Sequence, residues 1–266
     1  MASGGTSVVF IHGLWLGADS WGPWVERFRQ AGYAPTAPGW PGDADTIEET
    51  RQHPERVADY GINDVVEHYT QIIGKLDTKP IVIGHSFGGL MVQRLLGEDK
   101  AAAGVAIDAA PIKGVVYLPP SALRVASIAL RSPANRKRAV SLTREQFRYG
   151  FGNALSEEES DDLYDRWAIP SPGRTLFEAA SANLVPHSPA KVNTENATRG
   201  PLLLTAGGKD HTVPAAITRS TLKQYRKSPA VTDYKEFHDR GHSLTIDNRW
   251  PEVADTVLSW LKRHSL

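Results

Sequence analysis

A serine lies among glycines in the run Gly84-His85-Ser86-Phe87-Gly88-Gly89. An apolar stretch, residues 81–83, precedes this run, and a helical pattern over residues 90–96 follows it. A nucleophile on a sharp strand-to-helix turn needs small neighbours because its own backbone angles are strained. The start of a helix also offers free N–H groups and the positive end of a dipole to a developing oxyanion. The pattern therefore predicts that Ser86 is a nucleophile held on such a turn.

Short apolar runs alternate with helical patterns on both sides of this serine. The runs that predict strands are residues 8–11, 33–37, 81–83, 104–108, 201–205 and 231–237. The patterns that predict helices cover residues 20–30, 64–76, 90–96 and 214–226, and a last helix begins at Pro251. Such alternation is typical of a parallel sheet with helices on both faces. We therefore predict an α/β fold with a mostly parallel, doubly wound sheet of about six strands.

The alternation stops between residues 119 and 196, where helical patterns occur without a convincing strand. Two pairs in this stretch, Thr143 with Gln146 and Ser156 with Glu159, have the spacing of helix capping boxes. We predict an α/β core formed by residues 1–118 and 197–266, interrupted by a helical insertion, residues 119–196.

Four short motifs together carry a family resemblance. They are His12-Gly13 after the first strand, the serine turn, Gly207-Gly208-Lys209-Asp210 after a late strand and Gly241-His242 after the last strand. With these motifs the chain resembles the α/β-hydrolase superfamily over essentially its whole length. The resemblance implies a cofactor-free, esterase- or lactonase-like serine hydrolase, in which the insertion forms a helical cap over Ser86.

The resemblance also assigns roles in the loops around the serine. It implies an oxyanion hole made by the backbone N–H groups of Leu14 and Phe87, and a structural role for His12. Trp15 and Trp40 lie at the carboxyl ends of predicted strands, where α/β sheets bind ligands. We expect these two side chains either to line a substrate pocket or to serve in packing.

The remaining members of a catalytic triad follow the nucleophile in the order acid, then histidine. Asp210 is the predicted acid, with Asp108 and Asp239 as alternatives. His242 is the predicted base, with His238 as the alternative because it lies near the end of the last strand. His242 would take the Ser86 proton, and the acid would hold its ring in the correct tautomer.

The resemblance leaves more than one activity open. Hydrolysis of a carboxylic ester or lactone through an acyl-enzyme is the first hypothesis, with a small-molecule substrate. Hydroxynitrile lyases resemble this chain but carry a lysine directly after the catalytic histidine, where this sequence has Ser243. Cofactor-free haloperoxidases or perhydrolases would use the same site, and a non-enzymatic receptor would not need a complete triad.

The composition limits the partners that we expect. The 266 residues include 30 Lys and Arg side chains against 30 Asp and Glu, so no broad basic surface is available for nucleic acid or a membrane. We interpret the cluster Arg131, Arg136, Lys137 and Arg138 as a solvated loop, with docking of an anionic partner as the alternative. We expect a monomer or a homodimer.

The sequence also disfavours disulfides, metal sites, secretion and membrane insertion. Cysteine is absent, which excludes disulfides and thiolate chemistry, and no histidine spacing predicts a metal site. The N-terminus has no basic region followed by a long apolar run, and no stretch approaches the roughly 18 apolar residues of a membrane span. We therefore expect a cytoplasmic protein.

Overall fold

A parallel sheet of six strands forms the centre of the computed structural model, which describes residues 5–266. The strands of the chain are β1 (Ser7–Ile11), β2 (Ala34–Thr36), β3 (Ile81–His85), β4 (Ala103–Ile107), β5 (Ala139–Val140), β6 (Ser171–Pro172), β7 (Leu202–Gly207) and β8 (Thr232–Phe237). The six-stranded sheet has the order β2-β1-β3-β4-β7-β8, and every neighbouring pair in it is parallel. The predicted fold class is confirmed. Residues 1–4, the beginning of the predicted core, lie outside the described residues.

The central strands are apolar throughout because both faces of the sheet are covered. Successive side chains of a strand point to opposite faces. Accordingly, Val9 and Val82 pack in one hydrophobic cluster, whereas Val8 and Ile81 pack in a second cluster on the other face. All four side chains are fully buried.

Helices cover both faces of the sheet. They are α1 (Gly22–Gln30), α2 (Ile47–Gln52), α3 (Ile62–Ile73), α4 (Phe87–Gly97), α5 (Pro120–Leu130), α6 (Arg144–Gly150), α7 (Glu157–Trp167), α8 (Gly173–Ala180), α9 (Ala215–Gln224) and α10 (Trp250–Arg263). Trp24 of α1 and Trp260 of α10 are buried in the cluster on one face, and Tyr69 of α3 and Ile217 of α9 in the cluster on the other. Across residues 5–266, each helix is too short or too polar to cross a bilayer.

The segment between β4 and β7 contains α5 to α8 and differs from its prediction in one respect. The expectation that it contains no strand is wrong, because β5 and β6 form a two-residue antiparallel pair. Two residues are too few to produce a recognisable alternation of apolar and polar side chains. Both predicted helix starts are confirmed, since the side chains of Thr143 and Ser156 accept hydrogen bonds from the N–H groups of Gln146 and Glu159.

Candidate active site

Ser86 occupies a strained turn between the end of β3 and the start of α4. Its φ of 55° lies in a region that residues other than glycine rarely adopt, and such strain costs roughly 1–3 kcal/mol. Four backbone hydrogen bonds hold the turn. The Ser86 N–H donates to the Ile107 carbonyl at 2.9 Å, and the Ser86 carbonyl accepts from the N–H groups of Gly89 and Ala110, each at 2.9 Å, and of Leu90 at 3.3 Å. The backbone of the serine is therefore held in place between the strand and the helix.

The glycines of the turn are required by close backbone approaches. A Cβ atom on Gly84 would lie 2.3 Å from the carbonyl oxygen of Gly88. A Cβ atom on Gly88 would lie 2.1 Å from the carbonyl oxygen of Ile11 at the end of β1. Both distances are shorter than van der Waals contact, so the close passage of α4 over the strands depends on these two residues.

The loop after β1 lies directly against the serine. A Cβ atom on Gly13 would lie 2.7 Å from Cβ of Ser86, which places the next residue, Leu14, beside the turn. Among residues 5–266, no protein group accepts a hydrogen bond from the backbone N–H of Leu14 or of Phe87. Both N–H groups are therefore available to a ligand, as an oxyanion hole requires.

A buried histidine–carboxylate pair lies at the ends of the last two strands. The His242 side chain is completely buried, and its Nδ1 lies 2.6 Å from Oδ2 of Asp210. The other carboxylate oxygen of Asp210 accepts hydrogen bonds from the N–H groups of Thr212 at 2.7 Å and Val213 at 2.8 Å. The two N–H groups fix the orientation of the Asp210 side chain. A carboxylate oxygen that accepts from the ring at Nδ1 selects the tautomer of His242 in which Nε2 carries no proton.

His85 joins this pair to the serine turn, a contact that the sequence motif did not reveal. Its Nε2 donates to the carbonyl of His242 at 2.8 Å, and the two ring centroids are 4.6 Å apart. Burial, together with nearby His242, keeps the pKa of His85 well below its usual range. His85 is thus a neutral donor, and it links the loop of His242 to the residue that precedes Ser86 in the chain.

Of the three residues predicted as alternative acids or bases, two lie on the surface and one is buried beside His242. The His238 side chain is 86% exposed and faces Glu236, and Asp239 is exposed and bonds to Arg249. Asp108, in contrast, is fully buried, and its Oδ2 lies 3.9 Å from Nδ1 of His242. The site therefore contains two carboxyl groups, although Asp210 is the one in hydrogen-bond contact with the histidine.

The two tryptophans predicted near the pocket have different environments. Trp15 lines the cavity that contains Ser86, and its Nε1 donates to the carbonyl of Val140 at 3.0 Å. Trp40 stacks on His12, with ring centroids 5.4 Å apart, and lines a separate cavity. The structure therefore places Trp15, but not Trp40, beside the serine.

An apolar cavity of about 210 Å³ opens at Ser86. Helix α5 contributes Ala122 and Ala126 to its wall, and α8 contributes Leu176. Apart from the serine, Thr212 is the single polar side chain in the described lining, which contains no charged residue. The cavity is suited to an uncharged, apolar group.

Three residues of the site have the composition of a metal site. One nitrogen or oxygen each of His85, Asp108 and His242 lies within 4.8 Å of the others. However, His242 Nδ1 contacts the Asp210 carboxylate, and His85 Nε2 donates to a backbone carbonyl. Because both rings are oriented by protein partners, we assign no metal to this group.

A strained serine between strand and helix on a parallel sheet defines a protein of the α/β-hydrolase class. Residues 8–256 match the model of the Alpha/beta hydrolase family, and the chain belongs to this family. No curated protein sequence matches it significantly.

Solved structures agree with this fold along the whole chain. The monoacylglycerol lipase of Paleococcus ferrophilus is 21% identical with a TM-score of 0.63, covering 98% of this chain and 97% of its own. A methylesterase from Arabidopsis is 17% identical with a TM-score of 0.64, covering 98% of both chains. An extracellular α/β-hydrolase from a Paenibacillus species is 18% identical with a TM-score of 0.67, covering 96% of this chain and 98% of its own. At these identities the similarity shows the fold alone.

Proposed function

We propose that this protein is a carboxylic-ester hydrolase that acts on esters or lactones through an acyl-enzyme. Ser86 is the nucleophile, His242 the general base and acid, and Asp210 the carboxylate that orients the histidine. One observation carries the proposal: a strained serine follows His85 in the chain, and the His85 ring packs on that of His242, the histidine of a buried Asp–His pair. Nε2 of His242 has no hydrogen-bond partner within residues 5–266, the Ser86 hydroxyl included. Buried polar atoms usually have a partner, so an unpaired ring nitrogen here favours a catalytic role.

The proposed reaction follows from this geometry. Nε2 of His242 takes the hydroxyl proton as Oγ of Ser86 attacks the carbonyl carbon of the ester. The N–H groups of Leu14 and Phe87 stabilise the resulting oxyanion, and the imidazolium then protonates the leaving alkoxide. In the second half, a water molecule gives a proton to His242 and attacks the acyl carbon. The bond from this carbon to Oγ of Ser86 then breaks, and the imidazolium returns the proton to Oγ, which releases the acid and restores the serine.

Residues 119–196 would act as a cap over the serine. Helices α5 and α8 from this segment contribute side chains to the lining of the cavity at Ser86. A segment in that position would determine which acyl or alcohol groups enter, and would exclude water from the reacting carbonyl.

The neighbour of the catalytic histidine favours hydrolysis over a hydroxynitrile lyase reaction. Ser243 is fully buried, and its hydroxyl donates to Asp247 at 3.3 Å. This position therefore supplies no cation to stabilise a leaving cyanide.

The size of the cavity predicts the preferred chain length. Each water molecule in the liquid occupies about 30 Å³, so the cavity has room for a chain of roughly six to eight carbon atoms. Each methylene group buried there contributes about 0.8 kcal/mol, or about fourfold in kcat/KM. We expect kcat/KM for p-nitrophenyl esters to rise steeply from acetate to hexanoate or octanoate and to fall for palmitate.

A matched pair of variants tests whether this cavity holds the chain. Ala126→Phe fills part of it and should shift the optimum to butyrate or shorter esters. Ala134→Phe adds the same ring at an exposed position of the same segment and should leave the optimum unchanged. A wild-type chain that hydrolyses none of these esters would contradict the proposed function, and equal chain-length profiles for wild type and Ala126→Phe would contradict the assignment of the cavity.

A further inference from the structure

Asp108 is a second carboxyl group in the site, and the proposed reaction does not use it. It follows the last residue of β4, next to β7 in the sheet, and its side chain is completely buried. Its φ of 45° is unusual for a residue other than glycine, although Asp and Asn tolerate this region better than most residues. The strand order therefore brings the carboxyl group of Asp108 to within 3.9 Å of Nδ1 of His242.

The two carboxyl groups have unequal hydrogen-bond partners. Asp210 accepts from two backbone N–H groups and from His242. Asp108 accepts through Oδ1 from the N–H of Gly207 at 2.8 Å, and no donor among the described residues gives a hydrogen bond to its Oδ2. A buried carboxylate is stabilised by each donor that faces it, and Asp108 has one donor to offset its burial.

The short distance between the two carboxyl groups also favours a neutral Asp108. Oδ2 of Asp108 and Oδ2 of Asp210 lie 3.9 Å and 2.6 Å from the same nitrogen, Nδ1 of His242. Two buried carboxyl groups this close together do not both ionise readily. Burial raises the pKa of Asp108 well above its usual range, and the Asp210 carboxylate raises it further. The Gly207 N–H and the more distant Arg240 act in the opposite direction. The remaining titratable groups that face Asp108 are His242 and the neutral His85.

We infer that Asp108 is a positioning residue that remains protonated at neutral pH and donates its proton to Asp210. We infer further that it serves as a reserve acid: when Asp210 is removed, Asp108 ionises and its Oδ2, now 3.9 Å from His242 Nδ1, becomes the partner of the histidine. The first inference concerns protonation alone, whereas the reserve role rests on the proposed function.

Thermal stability tests the protonation state without reference to activity. The folded chain would retain the Asp108 proton above pH 4, where an unfolded aspartic acid loses it. Wild-type stability should therefore decline as the pH rises from about 4 toward the folded pKa. Asp108→Asn keeps the tolerated backbone angle, an acceptor for Gly207 and a donor for Asp210, but it has no proton to lose. We expect the difference in Tm, variant minus wild type, to increase by about 3 °C or more between pH 4 and pH 7.

Asp239 provides the control for this measurement. It is exposed, and its hydrogen bond to Arg249 lowers its pKa, so it contributes stability above the unfolded pKa. Asp239→Asn should therefore change the Tm with the opposite dependence on pH, or not measurably. If the Tm of Asp108→Asn minus that of the wild type stays constant or decreases with rising pH, the inference that Asp108 is protonated at neutral pH is wrong.

Kinetics test the reserve role. Asp108→Asn alone should lower kcat/KM by about three- to tenfold because Asp210 still holds the histidine. Asp210→Ala should lose about 10²-fold, and the double variant about 10⁴-fold, as expected when no acid orients the histidine. An Asp210→Ala chain as inactive as the double variant would overturn the reserve role. If the wild type hydrolyses no ester, the proposed function fails, and the stability measurement still decides whether Asp108 is protonated.

Discussion

Replacement of Ser86 by alanine is expected to lower kcat/KM for p-nitrophenyl hexanoate by about 10⁴- to 10⁶-fold. The oxyanion hole and the cavity would remain, but no group at the turn could form the acyl-enzyme. Ser127, an exposed serine on α5 whose hydroxyl donates to the Arg124 carbonyl, provides the control. Ser127→Ala should retain wild-type kinetics.

Strain at Ser86 supplies a second readout for the same position. Ser86→Gly should be equally inactive, yet its Tm should not fall below that of the wild type, because glycine adopts a positive φ without strain. Residual activity in Ser86→Ala above a few per cent of wild type would show that another residue carries the reaction.

Replacement of His242 by alanine should lower kcat/KM by about 10⁴-fold or more, because Ser86 loses its general base. The hydrogen bond from His85 to position 242 should persist, since it is made to the backbone carbonyl. His238→Ala removes a histidine of the same loop whose side chain is 86% exposed, and it should change kcat/KM by less than about twofold. The reverse result, an inactive His238→Ala beside an active His242→Ala, would contradict the assignment of the base.

The four central strands, β1, β3, β4 and β7, were predictable because they are buried on both faces. Sequences such as Val8-Val9-Phe10-Ile11 have no polar side chain to face water, which distinguishes a parallel central strand from an amphipathic element. The pair β5 and β6 was not predictable, because each strand has two residues and its pairing depends on how the segment between β4 and β7 folds back.

Within the site, the local motifs predicted the backbone conformation of single residues better than the contacts between residues on different loops. The strained backbone of Ser86 follows from its glycine neighbours and from the strand and helix on either side. The difference between Trp15 and Trp40 depends on the direction that each loop takes after its strand, which local sequence does not specify. The proximity of Asp108 to His242 depends on the adjacency of β4 and β7, although nearly a hundred residues separate these strands in the chain.

The central claim, that Ser86 is the nucleophile, is tested most directly by covalent labelling. Diisopropyl fluorophosphate phosphorylates an activated serine, and mass spectrometry of the intact chain and its peptides locates the product. We predict one adduct per chain, on the peptide that contains Ser86, with loss of esterase activity in parallel and no adduct on Ser86→Ala. Complete inactivation with the adduct on a different residue, or full activity after Ser86 is modified, would contradict the account.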